Sequence, residues 1–420
     1  MGFAVAGAGA TPDPQSARRQ LFARQIAANA FYWQGRLECH AADPASLDVE
    51  SENLARAVWL GLGSDDTRTA AFELIASARD FIARRGDAEA WGGLLNTAAR
   101  LAAGGPPSPA TVTVLAVAAE VIARYNPGPE SDRLYRIALR QCRRLPQHPD
   151  LQARILVDFG WMLLNQGAYA RGQAYVQQAR ELAERHDNRP VLARALLGLG
   201  TGYNKRREWQ AALACLPEAL RLAEGLQEAN YIGCAHYELG VAYWHAGDME
   251  HARSHAEQAL AHLRQSGDIS LESHTCNLLG VLCFERDEFG MAVEHFLAAE
   301  ASLIRAGAQS MVAALHNNLG AAFWGLLRWD DAERYFAMAR DEHRAKGDTL
   351  AAVEATTNLG ECYLDQQKWA EASAALAGAR AELAGVEPSA ARTSLLERLD
   401  ELDTRKAASH SPDERPPRGL

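Results

Sequence analysis

Six glycines, Gly160, Gly200, Gly240, Gly280, Gly320 and Gly360, stand forty residues apart, and a leucine precedes five of them (Leu199, Leu239, Leu279, Leu319, Leu359). A fixed period of this length confines the chain to a stack of one helical or strand-based unit, because each unit buries its apolar face only against its neighbours. Other positions keep the period. Three residues after each glycine comes Leu163, Tyr203, Tyr243, Cys283, Phe323 or Tyr363, and nine after it Tyr169, Trp209, Met249, Phe289, Trp329 or Trp369. The residue twelve after is small in every copy (Gly172, then Ala212, Ala252, Ala292, Ala332, Ala372), and the residue nineteen after is always alanine. Offsets of three and seven are helical. The glycine and its third neighbour share a face of a first helix, and the two small residues share a face of a second, where they let the helices approach closely. Each unit therefore reads as an antiparallel helix pair. Breaks fall at Gly247-Asp248 and Arg328-Trp329-Asp330 within pairs and at Gly267-Asp268 and Gly347-Asp348 between them. Pro217 lies inside a second helix, where it removes the bond to the carbonyl of Leu213 and predicts a kink.

The composition suits such a stack. With 48% hydrophobic and 23% charged residues the chain can bury a large core, and no apolar run approaches the roughly 18 residues of a membrane span. Acidic residues outnumber basic ones, 53 to 43, so a net charge of −10 offers no global positive field to a nucleic-acid backbone. The seven cysteines are scattered and include no Cys-x-x-Cys pair, which argues against a disulfide framework and a cysteine zinc site. The first ten residues lack the positive n-region of a secretory signal, so a cytoplasmic protein is expected.

The repeat resembles the tetratricopeptide repeat (TPR) over about residues 150 to 388. Its forty-residue length and the Asn-Leu-Gly of Asn318-Leu319-Gly320 and Asn358-Leu359-Gly360 are similar to the longer repeats of signalling adaptors. The resemblance implies an all-α, right-handed superhelical solenoid of about eight helical hairpins. Two weaker copies stand upstream, at Ala78, Phe81, Ala90, Leu94 and Thr97 and at Ala119, Ile122, Ser131, Tyr135 and Ala138. The expected organisation is a disordered tail (1–14), N-terminal helices (15–62), two irregular TPR-like hairpins (63–148), six forty-residue repeats (149–388), a capping helix (389–404) and a disordered tail (405–420). The stretch from Asp48 to Trp59, with Asn53, Leu54 and Ala57, resembles the start of the helical sensor arm of bacterial signal-transduction ATPases and related transcriptional regulators. Neither an ATPase nor a helix-turn-helix module is legible, so that resemblance implies a sensor or adaptor.

Catalytic and cofactor motifs are lacking. Gly198, Gly200 and Gly202 follow no strand and fit repeat packing instead of a dinucleotide loop, and neither a phosphate loop nor a nucleophile elbow occurs. His251, His255 and His262 share one helical face and supply too few ligands for a closed metal site, so an exposed or helix-contact surface is the stronger reading. No cofactor, no metal and no enzymatic activity are expected.

A TPR superhelix lines its concave side with the first helix of each pair, and there the sequence combines rings and amides: Trp161, Asn204, Tyr237, Trp244, Asn277, Phe284, Asn317, Asn318, Trp324 and Asn358. Asparagine amides pair with the backbone of an extended peptide whatever its sequence, while rings bury its side chains. The alternative for some of these residues is packing between repeats. Charge changes along the same wall, from Arg154, Arg194 and Lys205 to Glu354, Glu361 and Asp365, an oriented field that favours a segment with its acidic part toward the early repeats. The lysine and asparagine clamp of TPR cochaperones is unmatched, its positions being held by residues such as Val157, Leu197 and Tyr237.

The expected function is a protein- or peptide-binding scaffold, a sensor or adaptor in bacterial signalling or transcriptional regulation, with an extended segment in its concave groove. The partner is a protein or peptide, with no direct nucleic acid and no membrane, and self-association stays open. The alternative is a peptide-controlled TPR regulator acting on a response regulator or phosphatase target through its N-terminal helices.

Overall fold

The computed structural model describes residues 14–39, 50–79, 81–82, 88–125, 128–305 and 312–410, in two compact units, 1–206 and 207–420. Of the tails expected at 1–14 and 405–420, residues 1–13 and 411–420 lie outside the described residues, as does the opening Asp48-Val49 of the sensor-arm motif. All regular structure among the described residues is helical.

The first unit contains α1 (Pro14–Cys39), α2 (Ser51–Leu62), α3 (Asp65–Ser77), α4 (Ala88–Gly104), α5 (Pro109–Tyr125), α6 (Pro129–Cys142), α7 (Pro149–Asn165), α8 (Tyr169–Arg185) and α9 (Arg189–Lys205). Pro129, Pro149 and Pro190 open their helices in the first turn, where a missing N–H leaves no bond broken. The second contains α10 (Trp209–Leu226), α11 (Ala229–His245), α12 (Met249–Ser266), α13 (Ile269–Phe284), α14 (Phe289–Arg305), α15 (Val312–Gly325), α16 (Trp329–Ala345), α17 (Thr349–Asp365), α18 (Trp369–Ala384) and α19 (Ala390–His410). Helix α10 runs on through Pro217.

The periodic positions meet as their spacing requires. Helices α7 and α8, α11 and α12, α13 and α14, α15 and α16, and α17 and α18 pack as hairpins. The alanines twelve and nineteen residues after each glycine, from Ala212 and Ala219 to Ala372 and Ala379, are fully buried. At Gly160, Gly280, Gly320 and Gly360 a ring or branched side chain sixteen residues on (Val176, Phe296, Phe336, Leu376) fills the space the glycine leaves. A methyl group on Gly280 would lie 2.4 Å from Phe296, and one on Gly320 would lie 2.6 Å from Phe336.

The turns also repeat. Seven residues after the glycine the backbone is left-handed at Gly167 (φ +79°), Arg207 (+62°), Gly247 (+83°), Asp287 (+60°), Leu327 (+58°) and Gln367 (+60°). Asn188, Asp268 and Asp348 between pairs, and Asp248 within one, cap the following helix by accepting the backbone N–H three residues on, at 3.0–3.3 Å.

Helix α19 covers the last hairpin by seating Leu399 and Leu402 in a core with Val353, Leu364, Leu376 and Leu383. It extends to His410, past the Thr404 expected from the sequence, and Arg405 and Lys406 lie on its ordered part. Their partners explain the extension. Arg405 pairs with Glu361 and Asp365, and Lys406 Nζ lies 3.2 Å from Asp403.

Candidate functional site

The first helices of consecutive hairpins bring the sequence-predicted aromatic and amide residues of the second unit into two repeating ladders. The Trp244 indole N–H donates to Glu285 at 3.0 Å, and that of Trp324 donates to Asp365 at 2.9 Å. Each bond joins the fourth residue after one repeat glycine to the fifth after the next. One turn earlier the amides do the same. Asn318 Nδ2 donates to Asn277 Oδ1 at 2.9 Å, and Asn358 Nδ2 donates to Asn317 Oδ1 at 2.8 Å.

Trp244, Asn277, Asn317, Asn318 and Trp324 are half-buried, as are Tyr237 and Phe284. Phe284 meets Phe289 edge to face at 5.4 Å, and the Tyr237 ring is 6.4 Å from His274. Burial, with Glu238 adding to it, pushes the Tyr237 phenol up, so it remains a neutral donor. A cavity of about 370 Å³ opens beside Asn277 and Asn318, lined also by His274, Leu303 and His343.

Two expected groove residues are elsewhere. Asn204 (5% exposed) and Asn358 (8%) are buried and line no open surface. For Asn358 the reason is its place in the amide ladder. The acidic end of the expected charged wall is also changed. Glu361 accepts from Arg398 at 2.7 Å and from Arg405 at 3.4 Å, and Asp365 accepts from Arg405 and Trp324. Helix α19 thus brings cations onto two of its three carboxylates, leaving Glu354 exposed. An unshielded negative field over the late repeats was expected because Arg405 was read as part of a disordered tail.

His316 adds a contact that the period did not reveal. It is 2% exposed, with Nε2 at 2.9 Å from Glu300 and Nδ1 at 3.1 Å from Glu342, and it ties α15 to both α14 and α16 beside Asn317.

In the first unit, Arg154 is exposed, as is Lys205, while Arg194 is committed to an ion cluster. The Asp158 side chain, 2% exposed, accepts from Arg194 with one oxygen and from Arg79 with the other, the latter at 2.6 Å. Burial opposes its charge, but Arg194 and Arg79 outweigh that and hold the carboxyl below its usual range. Glu120 on α5 is shifted the other way, raised by burial and then by Asp158. Trp161 is half-buried and donates its indole N–H to the Arg194 carbonyl at 3.2 Å. Asp158, Glu120 and Arg79 were missed in the sequence. The available signal was Asp158 itself, a carboxylate at the position where later repeats carry asparagine.

The histidine face also resolves into specific contacts. His251 is paired with Asp248 at 2.7 Å, and His255 Nδ1 approaches Nδ1 of the buried His236 at 2.8 Å. Among the described residues no group of three or more His, Cys, Asp or Glu is placed to hold a metal ion, and no helix is long and apolar enough to cross a membrane.

Comparison with known proteins identifies the architecture. A signal transduction ATPase with numerous domains carrying a tetratricopeptide repeat sensor, from Pyrococcus horikoshii, superposes with a TM-score of 0.59 at 14% identity, over 85% of this chain and 55% of that one. This chain therefore spans about half of that protein. A Rap protein complexed with competence and sporulation factor gives 0.57 at 12% identity, over 92% and 99% of the two chains. Aspartyl phosphate phosphatase F from Bacillus subtilis gives 0.52 at 12%, over 91% and 99%. No family model and no curated sequence matches. The fold is a TPR-type helical repeat.

Proposed function

We propose that the chain is a regulatory protein-binding scaffold and that a partner segment lies extended along the first helices of the second unit. The observation that carries this reading is the pair of inter-repeat ladders, in which half-exposed rings and amides are held in fixed positions by their neighbours. A surface ordered before binding loses less side-chain freedom when a partner arrives. Asn277 and Asn318 present both donor and acceptor chemistry beside a cavity of about 370 Å³, which suits peptide backbone and one inserted side chain. The fold shared with a sensor arm and with a Rap protein bound to a peptide factor supports the same reading.

The test is affinity capture from native cytosol followed by calorimetry with the captured partner. Trp324→Ala and the double change Asn317→Ala with Asn318→Ala should weaken binding at least about tenfold, since loss of an anchoring ring or a buried amide typically costs about 1–3 kcal/mol. His251→Ala should bind normally, its side chain being exposed on α12. Unchanged binding by the tryptophan and asparagine variants would remove this site.

A second reading is favoured by one feature of the first unit. Trp59 (66% exposed) and Phe22 (53%) border a cavity of about 1030 Å³ bounded by α1, α2 and α4. That apolar surface suits a second protein controlled by the first, as in a peptide-regulated adaptor. Trp59→Ala should then abolish capture of one protein and spare capture of another.

A further inference from the structure

The outer face of α6 carries a row of arginines. From residue 133 to residue 148 the chain holds Arg133, Arg136, Arg140, Arg143 and Arg144 and no aspartate or glutamate, although acidic residues outnumber basic ones over the whole sequence. Their spacing of three, four, three and one puts all five on one side of a helix. Arg143, just past the last residue of α6, keeps right-handed helical angles (φ −60°, ψ −20°), so the row runs on through the helix end. All five are exposed. With a rise of 1.5 Å per residue the row is about 16 Å long.

Carboxylates reach only one end of it. Arg133 pairs with Glu130 at 2.8 Å and Arg136 with Asp132 at 2.7 Å, and Asp132 is shared with Arg171 of α8 at 2.9 Å. The guanidinium groups of Arg140, Arg143 and Arg144 have no ion-pair or hydrogen-bond partner among the described residues. Other second helices balance their outer charges. Arg180 pairs with Glu184 on α8, Arg253 with Glu257 on α12, and Arg334 with Asp331 on α16.

Neither packing nor helix stability calls for the row. The packed face of α6 is supplied by Leu134, Tyr135, Ala138, Leu139 and Cys142. A helix C-terminus carries about half a negative charge, which offsets one of the three unpaired cations at most. Like charges four residues apart, Arg136 with Arg140 and Arg140 with Arg144, weaken the helix instead.

We propose that this row docks an acidic segment of a partner protein, its aspartate and glutamate side chains aligned along the α6 face. The surface lies in the first unit, is separate from the ladders of the second, and goes beyond the peptide-binding reading above. An exposed ion pair contributes little alone, so recognition here comes from several formed at once. Arginine suits the task because its planar fork matches a carboxylate with two hydrogen bonds. Nucleic acid is the poorer fit. A single strand stacks its bases on exposed rings, and Tyr135, the one aromatic residue of α6, is buried. A duplex longer than the row meets a chain whose net charge is −10.

Fluorescence anisotropy on the full chain tests the proposal with three labelled probes: an acetylated all-glutamate decapeptide amide, the all-glutamine equivalent and a ten-nucleotide thymidine strand. The glutamate peptide should bind about tenfold or more tighter than the glutamine peptide, as expected for several charge pairs acting together. Its affinity should fall as sodium chloride is raised from about 50 to 200 mM, because exposed charges are screened. The triple change Arg140→Gln, Arg143→Gln and Arg144→Gln should abolish the preference, and Arg140→Gln alone should reduce it. A control with the same loss of charge, Arg180→Gln, Arg185→Gln and Arg189→Gln, should bind like the parent, as should Trp324→Ala, so that failure of the ladder site leaves this test intact. Circular dichroism would confirm that the α6 variants keep their helices. Equal binding of the two peptides, no binding of either up to millimolar concentration, an equal loss in the control triple, or tighter binding of the thymidine strand than of the glutamate peptide would overturn the proposal.

Discussion

The position two residues before the repeat glycine holds Asp158 on α7 but Asn318 on α15 and Asn358 on α17, and the two choices lead to different interiors. A buried carboxylate needs cations, and Asp158 finds them in Arg79, seventy-nine residues upstream, and in Arg194 on α9. A neutral amide needs only another amide, and the asparagines find theirs at the same separation of 41 residues in both cases. One solution is local to a single cluster and sensitive to each member. The other propagates with the period, and each step is worth little. The early cluster therefore depends on charge balance, and the late ladder on the regularity of the repeat.

Breaking each solution should give the largest contrast. Asp158→Ala leaves two arginines in a buried cluster without their shared anion and should cost about 3–5 kcal/mol, whereas Asn318→Ala removes one neutral hydrogen bond and should cost about 1 kcal/mol. Chemical denaturation of the full chain measures both. Comparable losses would mean that the charge cluster is no more demanding than the amide ladder. Asp158→Asn, which keeps the shape and reduces the charge, should fall between them.

What the two regions share is close packing, and there the effect should be intermediate. Ala332 is fully buried beneath the α15–α16 contact and Gly320 lies against Phe336, so Ala332→Leu or Gly320→Val forces added atoms into filled space. A loss of about 1–3 kcal/mol is expected, read as a lowered Tm. An unchanged Tm in both variants would show that the hairpin interface relaxes more easily than its small residues suggest.

This packing was legible because it is periodic: glycine, alanine and ring positions fall on helical faces whatever the rest of the chain does. The helical repeat class, the hairpin turns and the placement of Tyr237, Trp244 and Trp324 on first helices follow from that alone. The ladder bonds were not legible as such, since sequence spacing shows that Trp324 is on a face but not that its N–H is already taken by Asp365. For the same reason the sequence left open which asparagines offer their amides to a partner and which pack between repeats. The ion cluster was hidden more deeply. Arg79 comes from outside the regular repeats, and no period links it to Asp158. The extension of α19 past Thr404 was missed because its stabilising contacts, from Arg405 to Glu361 and Asp365, are tertiary, while the local composition is proline-rich only a few residues further on.

Acid should separate the two regions further. His236 on α11 is buried, and burial, followed by the charges of His255 and His262, holds its pKa down to about 4, against an ordinary value of about 6.5. The native state keeps this ring neutral between those values while the unfolded chain takes up a proton. Its contribution is therefore complete above about pH 6.5 and is lost as the pH falls toward 4. Asp158 has a carboxyl held below its usual range, so its contribution is lost only below the ordinary carboxylate pKa of about 3.9. Hydrogen exchange followed from pH 7 to 4.5 should show α11 and α12 losing protection before α7 and α9. His236→Gln should flatten that pH dependence, and a profile identical to the parent would assign the acid sensitivity elsewhere.

The turn seven residues after the glycine offers the smallest effect and the most direct test of repeat regularity. The early hairpin turns at Gly167, but a later one turns at Leu327, with φ +58° and the side chain 65% exposed. A leucine in this region is disfavoured by about 1–2 kcal/mol because its Cβ crowds the following carbonyl. Glycine removes the crowding and loses roughly 0.5–1 kcal/mol of extra chain entropy on folding. The difference favours Leu327→Gly by between nothing and about 1.5 kcal/mol, a small rise in Tm, and the converse Gly167→Leu should lower it. A fall in Tm for Leu327→Gly would mean that the exposed leucine makes contacts worth more than the strain it carries, and the two turns would then differ in packing as well as in backbone freedom.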